Sequence, residues 1–179
     1  MKVIVRLFAG ISMLWATAAI SAERDIEDFY GEFVGRSVAD TENGVKARDI
    51  SIAIKSVKRG FSFDWTTVSE RGDGTVKKKS YSIQFRKTKR ANIFKSAMQK
   101  DVFGGLAPMN PMKGDPYVWA RIHDDTLSVY AMHVIEDGTY EMQVYHRTLT
   151  SAGMDLKFSR YREGKSLKAI TGSLKKVSK

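Results

Sequence analysis

The chain has no cysteine. That one absence excludes disulfide staples, iron–sulfur clusters, cysteine-bound zinc and thiol catalysis. A 179-residue chain without disulfides is held by apolar burial and backbone pairing, which favours a closed or well-covered sheet over a small stapled scaffold. Proline is nearly as scarce. There are three, all within LAPMNPMKGDP, which leaves no Pro-rich linker. Nucleophile elbow, phosphate loop and HExxH patterns are missing. Past residue 22 no stretch is apolar enough to span a bilayer as a helix.

What is present begins with the leader. MKVIVRLFAGISMLWATAAISA has Lys2 and Arg6 in a short positive region, an apolar run from Leu7 to Ile20, and Ala22 as the small residue at the cleavage position. Residues 1–22 are therefore expected to be a cleaved signal peptide and residues 23–179 a single domain in the periplasm or secreted, with no transmembrane segment after cleavage. Outside the cytoplasm nucleic acid is not an expected partner.

Without Lys2 and Arg6 there are 28 basic residues against 20 acidic ones, and the excess is concentrated. Lys77 to Lys100 carries nine basic residues and no acid: Lys77, Lys78, Lys79, Arg86, Lys87, Lys89, Arg90, Lys95 and Lys100. Gly164 to Lys179 carries five lysines and no acid. Such segments raise the local concentration of anions, so lipid headgroups, acidic polymers or a protein partner of the cell envelope are candidates for a basic surface.

Period-two alternation dominates the rest. Ile50, Ile52 and Ile54 alternate with polar or small residues, as do Phe61, Phe63 and Trp65, and Tyr81, Ile83 and Phe85. Turn residues separate these runs at Asn43-Gly44, Arg59-Gly60 and Gly72-Asp73-Gly74. Asp137-Gly138 predicts a two-residue hairpin pairing residues that sum to 275, so that Ile135 faces Tyr140 and Val129 faces His146. Asp124-Asp125 predicts another, summing to 249, with Ala120 facing Val129. Together they give a meander with two faces. One is aliphatic, from Val118, Ala120, Ile122, Leu127, Val129, Ala131, Ile135, Met142 and Val144, and includes His133 and His146 as structural histidines. The other carries Tyr117, Trp119, Arg121, Tyr130, Met132, Tyr145 and Arg147. An aromatic set of this size on a plain outer surface is unusual, so this face either lines a cavity or is covered.

In Ala91 to Phe103 the residues Ile93, Phe94, Ala97, Met98, Val102 and Phe103 recur at helical spacing, with Asn92 as N-cap and Gly104 as C-cap, which predicts one amphipathic helix. The proline-bearing loop after it is a candidate lid or rim. Long antiparallel meanders remove their edges by closing. The segment DFYGEFVGRS is similar to the start of lipocalin-like (calycin) barrels, in which a Gly-x-Trp element on the first strand plugs one end. Gly31 and Phe33 take those positions, with Phe in place of Trp. The resemblance implies an all-β, antiparallel barrel of about eight strands with a ligand cup.

The expected function is non-catalytic binding of a small amphipathic or anionic hydrophobic ligand in that cup. Tyr117, Trp119, Arg121, Tyr130, Tyr145 and Arg147 are its expected lining, rings supplying area and arginine gripping a carboxylate or phosphate. The alternative is an envelope interaction protein that uses Lys77, Lys78, Lys79, Arg86, Lys87, Lys89 and Arg90 as an anion-binding surface. No catalytic set, metal site or cofactor is expected.

Overall fold

A computed structural model describes residues 24–41, 44–70, 72–96, 99–100, 106–107 and 109–178. The proposed leader lies outside the described residues. The alternating runs become long strands: β1 (Gly31–Thr41), β2 (Gly44–Val57), β3 (Gly60–Glu70) and β4 (Val76–Lys87). Short segments follow as β5 (Ile93–Ser96), β6 (Gln99–Lys100) and β7 (Leu106–Ala107), then β8 (Tyr117–His123), β9 (Thr126–Val134), β10 (Tyr140–Thr150), β11 (Gly153–Arg162) and β12 (Lys165–Ser178). Ten of them form a closed antiparallel barrel in chain order, β12 returning to pair with β1, while β6 and β7 pair with each other. The class is the expected all-β barrel, with ten strands in place of about eight.

The expected helix over Ala91 to Phe103 is overturned where it is described. Ile93–Ser96 is β5, bridging β4 and β8 in the barrel wall, and among the described residues there is no α-helix. Asn92 has φ +55° and sits in a turn, not at a helix start. Four residues satisfy period two as readily as period 3.6. Phe94 decides the matter by turning inward, 3% exposed, edge-on to Phe61 at 5.1 Å. The rest of that expectation, at 97–98 and 101–104, lies outside the described residues.

The hairpin registers came out unequally. Asp124-Asp125 gives the expected pairing, Ala120 with Val129 and Val118 with Ala131. At Asp137-Gly138 the pairing sums to 274, so Val134 faces Tyr140 and Ala131 faces Gln143. A two-residue type I′ turn needs positive φ at both central residues. Gly138 has it (+81°) but Asp137 does not. Instead Gly138 N–H donates to the Ile135 carbonyl at 2.9 Å and Ile135 N–H to the Thr139 carbonyl at 2.9 Å. The Asp137 carboxylate accepts from the Thr139 amide and hydroxyl. This loop holds one more residue than a I′ turn. A shift of one reverses the faces of β10 against β9. Met142, Val144 and His146 therefore point outward, and Glu141, Gln143, Tyr145 and Arg147 point inward.

One end of the barrel is filled. A 3₁₀ turn at Ile26–Phe29, held by a reciprocal Asp25/Asp28 capping box, buries Ile26 and Phe29 completely. Arg24 pairs with Asp125 at 2.6 Å and Glu27 lies 3.9 Å from Lys87, fastening the turn to the loops of that end. Phe33, Ile52, Ile54, Phe61, Phe85, Leu127, Met154 and Leu174 fill the interior behind it, each at most 2% exposed. Lys176 of the last strand lies over the Phe33 ring at 5.4 Å.

Candidate ligand-binding cavity

The strands pass this plug and continue, and beyond it the interior is hollow. A cavity of about 450 Å³ opens at the other end of the barrel. Strand direction orders its walls. Ile50, Phe63, Ile83, Val129, Arg147 and Leu156 form the floor, next to the filled half. Trp65, Tyr81, Tyr145, Phe158 and Ile170 form the middle, and Lys46, Arg48, Lys79, Pro116 and His133 surround the mouth. Among the described residues β4 pairs with β5 only from Phe85 onward, so its stretch from Val76 to Gln84 pairs on one side alone, with β3.

The middle layer is aromatic. Trp65 stacks on Tyr81 (4.9 Å, 18° between planes) and lies 6.1 Å from Tyr145, which contacts Phe158 at 4.8 Å. Polar groups climb one strand. On the inner face of β10, Glu141, Gln143, Tyr145 and Arg147 follow one another from mouth to floor. Glu141 is buried and takes a bidentate pair from Arg160, both contacts 2.6 Å, with Arg162 at 3.6 Å. The hydrogen bond from Arg160 holds the Glu141 carboxyl below the usual carboxylate range. Gln143 Nε2 donates to Glu141 Oε1 at 3.3 Å, and the Tyr145 hydroxyl donates to Gln143 Oε1 at 2.8 Å. Burial pushes the Tyr145 phenol up.

Arg147 ends this column and is its most unusual member. It is 2% exposed. One Nη donates to the His146 carbonyl at 2.9 Å, while Nε has no hydrogen-bond partner. The guanidinium lies over the rings of Phe63 (5.5 Å) and Tyr145 (5.8 Å). Among the described residues no carboxylate lies within ion-pair distance of it. Burial pushes its pKa down to about 10, so it remains a cation at neutral pH. Among the described residues the cavity lining holds Lys46, Arg48, Lys79 and Arg147 and no acid. A buried cation without an anion is costly to fold.

Of the residues expected to line a cup, the structure brings two to the cavity, Tyr145 and Arg147. The other four lie on the outer surface: Trp119 stacks on Tyr130 (5.0 Å, 10°), Tyr117 tilts against Trp119 at 5.7 Å, and Arg121 is exposed. The one-residue shift at Gly138 separates the two groups. His146, expected on the aliphatic face with His133, is instead on the outer surface and shares a 2.8 Å hydrogen bond with Ser128; burial pushes its pKa down. Sequence reasoning missed Trp65, Tyr81 and Gln143 as lining. The signal for the first two was their place in runs already read as one-sided, Phe61-Phe63-Trp65 and Tyr81-Ile83-Phe85. Gln143 would have followed from the period-two series Glu141, Gln143, Tyr145, Arg147.

The basic segment does not form one patch. Lys77, Lys78 and Lys79 stand at the mouth end of β4, with Lys79 on the inner face. Arg86 and Lys87 end the same strand, and Lys89 and Arg90 lie in the turn after it, at the filled end. Lys79 and Arg86 are about 20 Å apart along the strand. Among the described residues no three His, Asp or Glu side chains gather as a metal site, and no helix is long and apolar enough to cross a membrane. The chain matches no protein-family model, and a search of curated proteins finds no relative.

Proposed function

We propose that this protein is a non-catalytic carrier or receptor that works outside the cytoplasm and binds a small amphiphile with an anionic head. The head goes in first, to Arg147 on the cavity floor, and the apolar body lies between the Trp65, Tyr81, Tyr145 and Phe158 rings. The observation that carries this reading is the buried Arg147 guanidinium, without an anionic partner among the described residues, facing a cavity of ligand size whose described lining has no acid. A carboxylate or phosphate there would supply the missing counter-charge, and the apolar walls would strengthen the attraction by excluding water. The mouth residues Lys46, Arg48 and Lys79 carry the same sign and would draw anions inward.

Titration with dodecanoate and with dodecanol, followed by tryptophan fluorescence, tests the reading. Trp65 lines the cavity and Trp119 faces outward, so Trp65→Phe should remove the response and Trp119→Phe should leave it. Arg147→Met should weaken dodecanoate binding by about 10- to 100-fold, the worth of a charge-assisted hydrogen bond, and should not weaken dodecanol binding. Wild-type protein that ignores both probes, or an Arg147→Met protein that binds dodecanoate undiminished, overturns the proposal.

A further inference from the structure

The column above Arg147 has a fixed direction. Glu141, ionised against Arg160, only accepts hydrogen bonds. The group that Gln143 turns toward it is therefore its NH₂, as the 3.3 Å contact has it, because the amide oxygen would meet a carboxylate. That leaves the Gln143 oxygen facing Tyr145, and the Tyr145 hydroxyl gives its single proton there at 2.8 Å. Toward the cavity the Tyr145 oxygen has lone pairs and no proton. Arg147, one pleat repeat below, has only donors. The two polar anchors thus ask for opposite things: an acceptor at the floor and a donor one step nearer the mouth.

We infer that the ligand is an amphiphilic acid carrying a hydroxyl or N–H group a few bonds from its anionic head, and that the Tyr145 oxygen accepts that proton. This rests on the anion-binding reading of the cavity. Tyr145 is on this view a specificity-determining residue, with Gln143 and Glu141 positioning it through the direction of their hydrogen bonds. Plain fatty acids would use the floor and leave the Tyr145 lone pairs unmatched. A site built to pair a polar group discriminates against analogues that lack it more sharply than an apolar wall does.

Calorimetric titration of the full chain with dodecanoate, a positional series of monohydroxydodecanoates and the matching O-methyl ethers tests this. At least one hydroxy isomer should bind about tenfold tighter than dodecanoate, and its ether, which has no proton to give, should lose that advantage. In Tyr145→Phe the ratio of hydroxy acid to dodecanoate affinity should fall to near one. In Gln143→Met the tyrosine proton is released, so the ether should recover against its hydroxy partner, a change that a merely structural role for Gln143 would not produce. If hydroxy acids and dodecanoate bind equally in the wild type, or the preference survives Tyr145→Phe, the inference falls and the anion site stands. Should no acid bind at all, both fall together.

Discussion

The two halves of the barrel share the same strands and the same alternating pattern, yet one is full and the other hollow. On β3 and β4, Phe61 and Phe85 stack at 4.9 Å in the filled half, while Trp65 and Tyr81 stack at the same 4.9 Å on the cavity wall. Phe61 and Phe85 are completely buried, whereas Tyr81 is 47% exposed. The filled half contains no inward charge in its core cluster. The hollow half contains a buried arginine and a buried glutamate. The lower half stabilises the fold, and the upper half gives up part of that stability to keep a shaped, charged space. This division is expected where a rigid scaffold supports a preorganised site.

The largest effect should come from breaking the filled half. Phe85→Ala removes a ring packed against Phe61 with no solvent nearby, and should cost about 3–5 kcal/mol in denaturant unfolding. The matched change two pleat repeats up, Tyr81→Ala, should cost about 1 kcal/mol, because its ring is half exposed and leaves no closed cavity behind. Equal losses at the two positions would mean that the upper half is as tightly packed as the lower.

The second effect has the opposite sign. Arg147→Met replaces an unpaired buried cation by an apolar side chain of similar length. It should raise the stability of the ligand-free protein by about 1–4 kcal/mol while it weakens anion binding. Thermal or denaturant unfolding of the variant without ligand checks this. A destabilised variant would show that the guanidinium serves the fold through Phe63, Tyr145 and the His146 carbonyl, and the contrast between the halves would lose its main support.

Much of the fold was legible in the chain, and the limit of legibility has a physical cause. Alternation placed Ile50, Ile52, Ile54, Phe61, Phe63 and Phe85 on one buried face, and that is where they are. The Asp124-Asp125 turn signal predicted its register correctly. The Asp137-Gly138 signal missed by one residue, because the backbone conformation of Asp137, not its identity, decides between a two-residue loop and one with an extra residue. That single residue turned β10 over against β9 and so put Tyr145 and Arg147 on the opposite face from Trp119 and Tyr130. In a strand, side-chain period is two, so two of the six expected residues parted from the other four in one step. Whether the interior is hollow was not legible at all. Phe61 and Trp65 obey the same alternation, and only the closure of ten strands and the 3₁₀ plug at Ile26–Phe29 separate filled from open.

The smallest effect concerns the mouth. Lys77, Lys78 and Lys79 are all exposed, and their β3 partners are Ser69, Val68 and Thr67. Reversing the three to Glu removes no buried contact, so unfolding stability should change by no more than about 0.5 kcal/mol. Alternation turns Lys79 toward the cavity and Lys78 away, so only part of the triplet can meet an entering anion. Exposed charges act on encounter more than on the bound state, in which the proposed anionic head would sit against the buried Arg147. Stopped-flow mixing with dodecanoate at low salt should therefore show association slowed several-fold in the triple variant and dissociation nearly unchanged, with the difference fading as ionic strength shortens the Debye length. An unchanged association rate would mark the lysines as a solvated rim. A changed dissociation rate would mean that the mouth holds the ligand directly, and the floor would no longer be the one place where its charge is met.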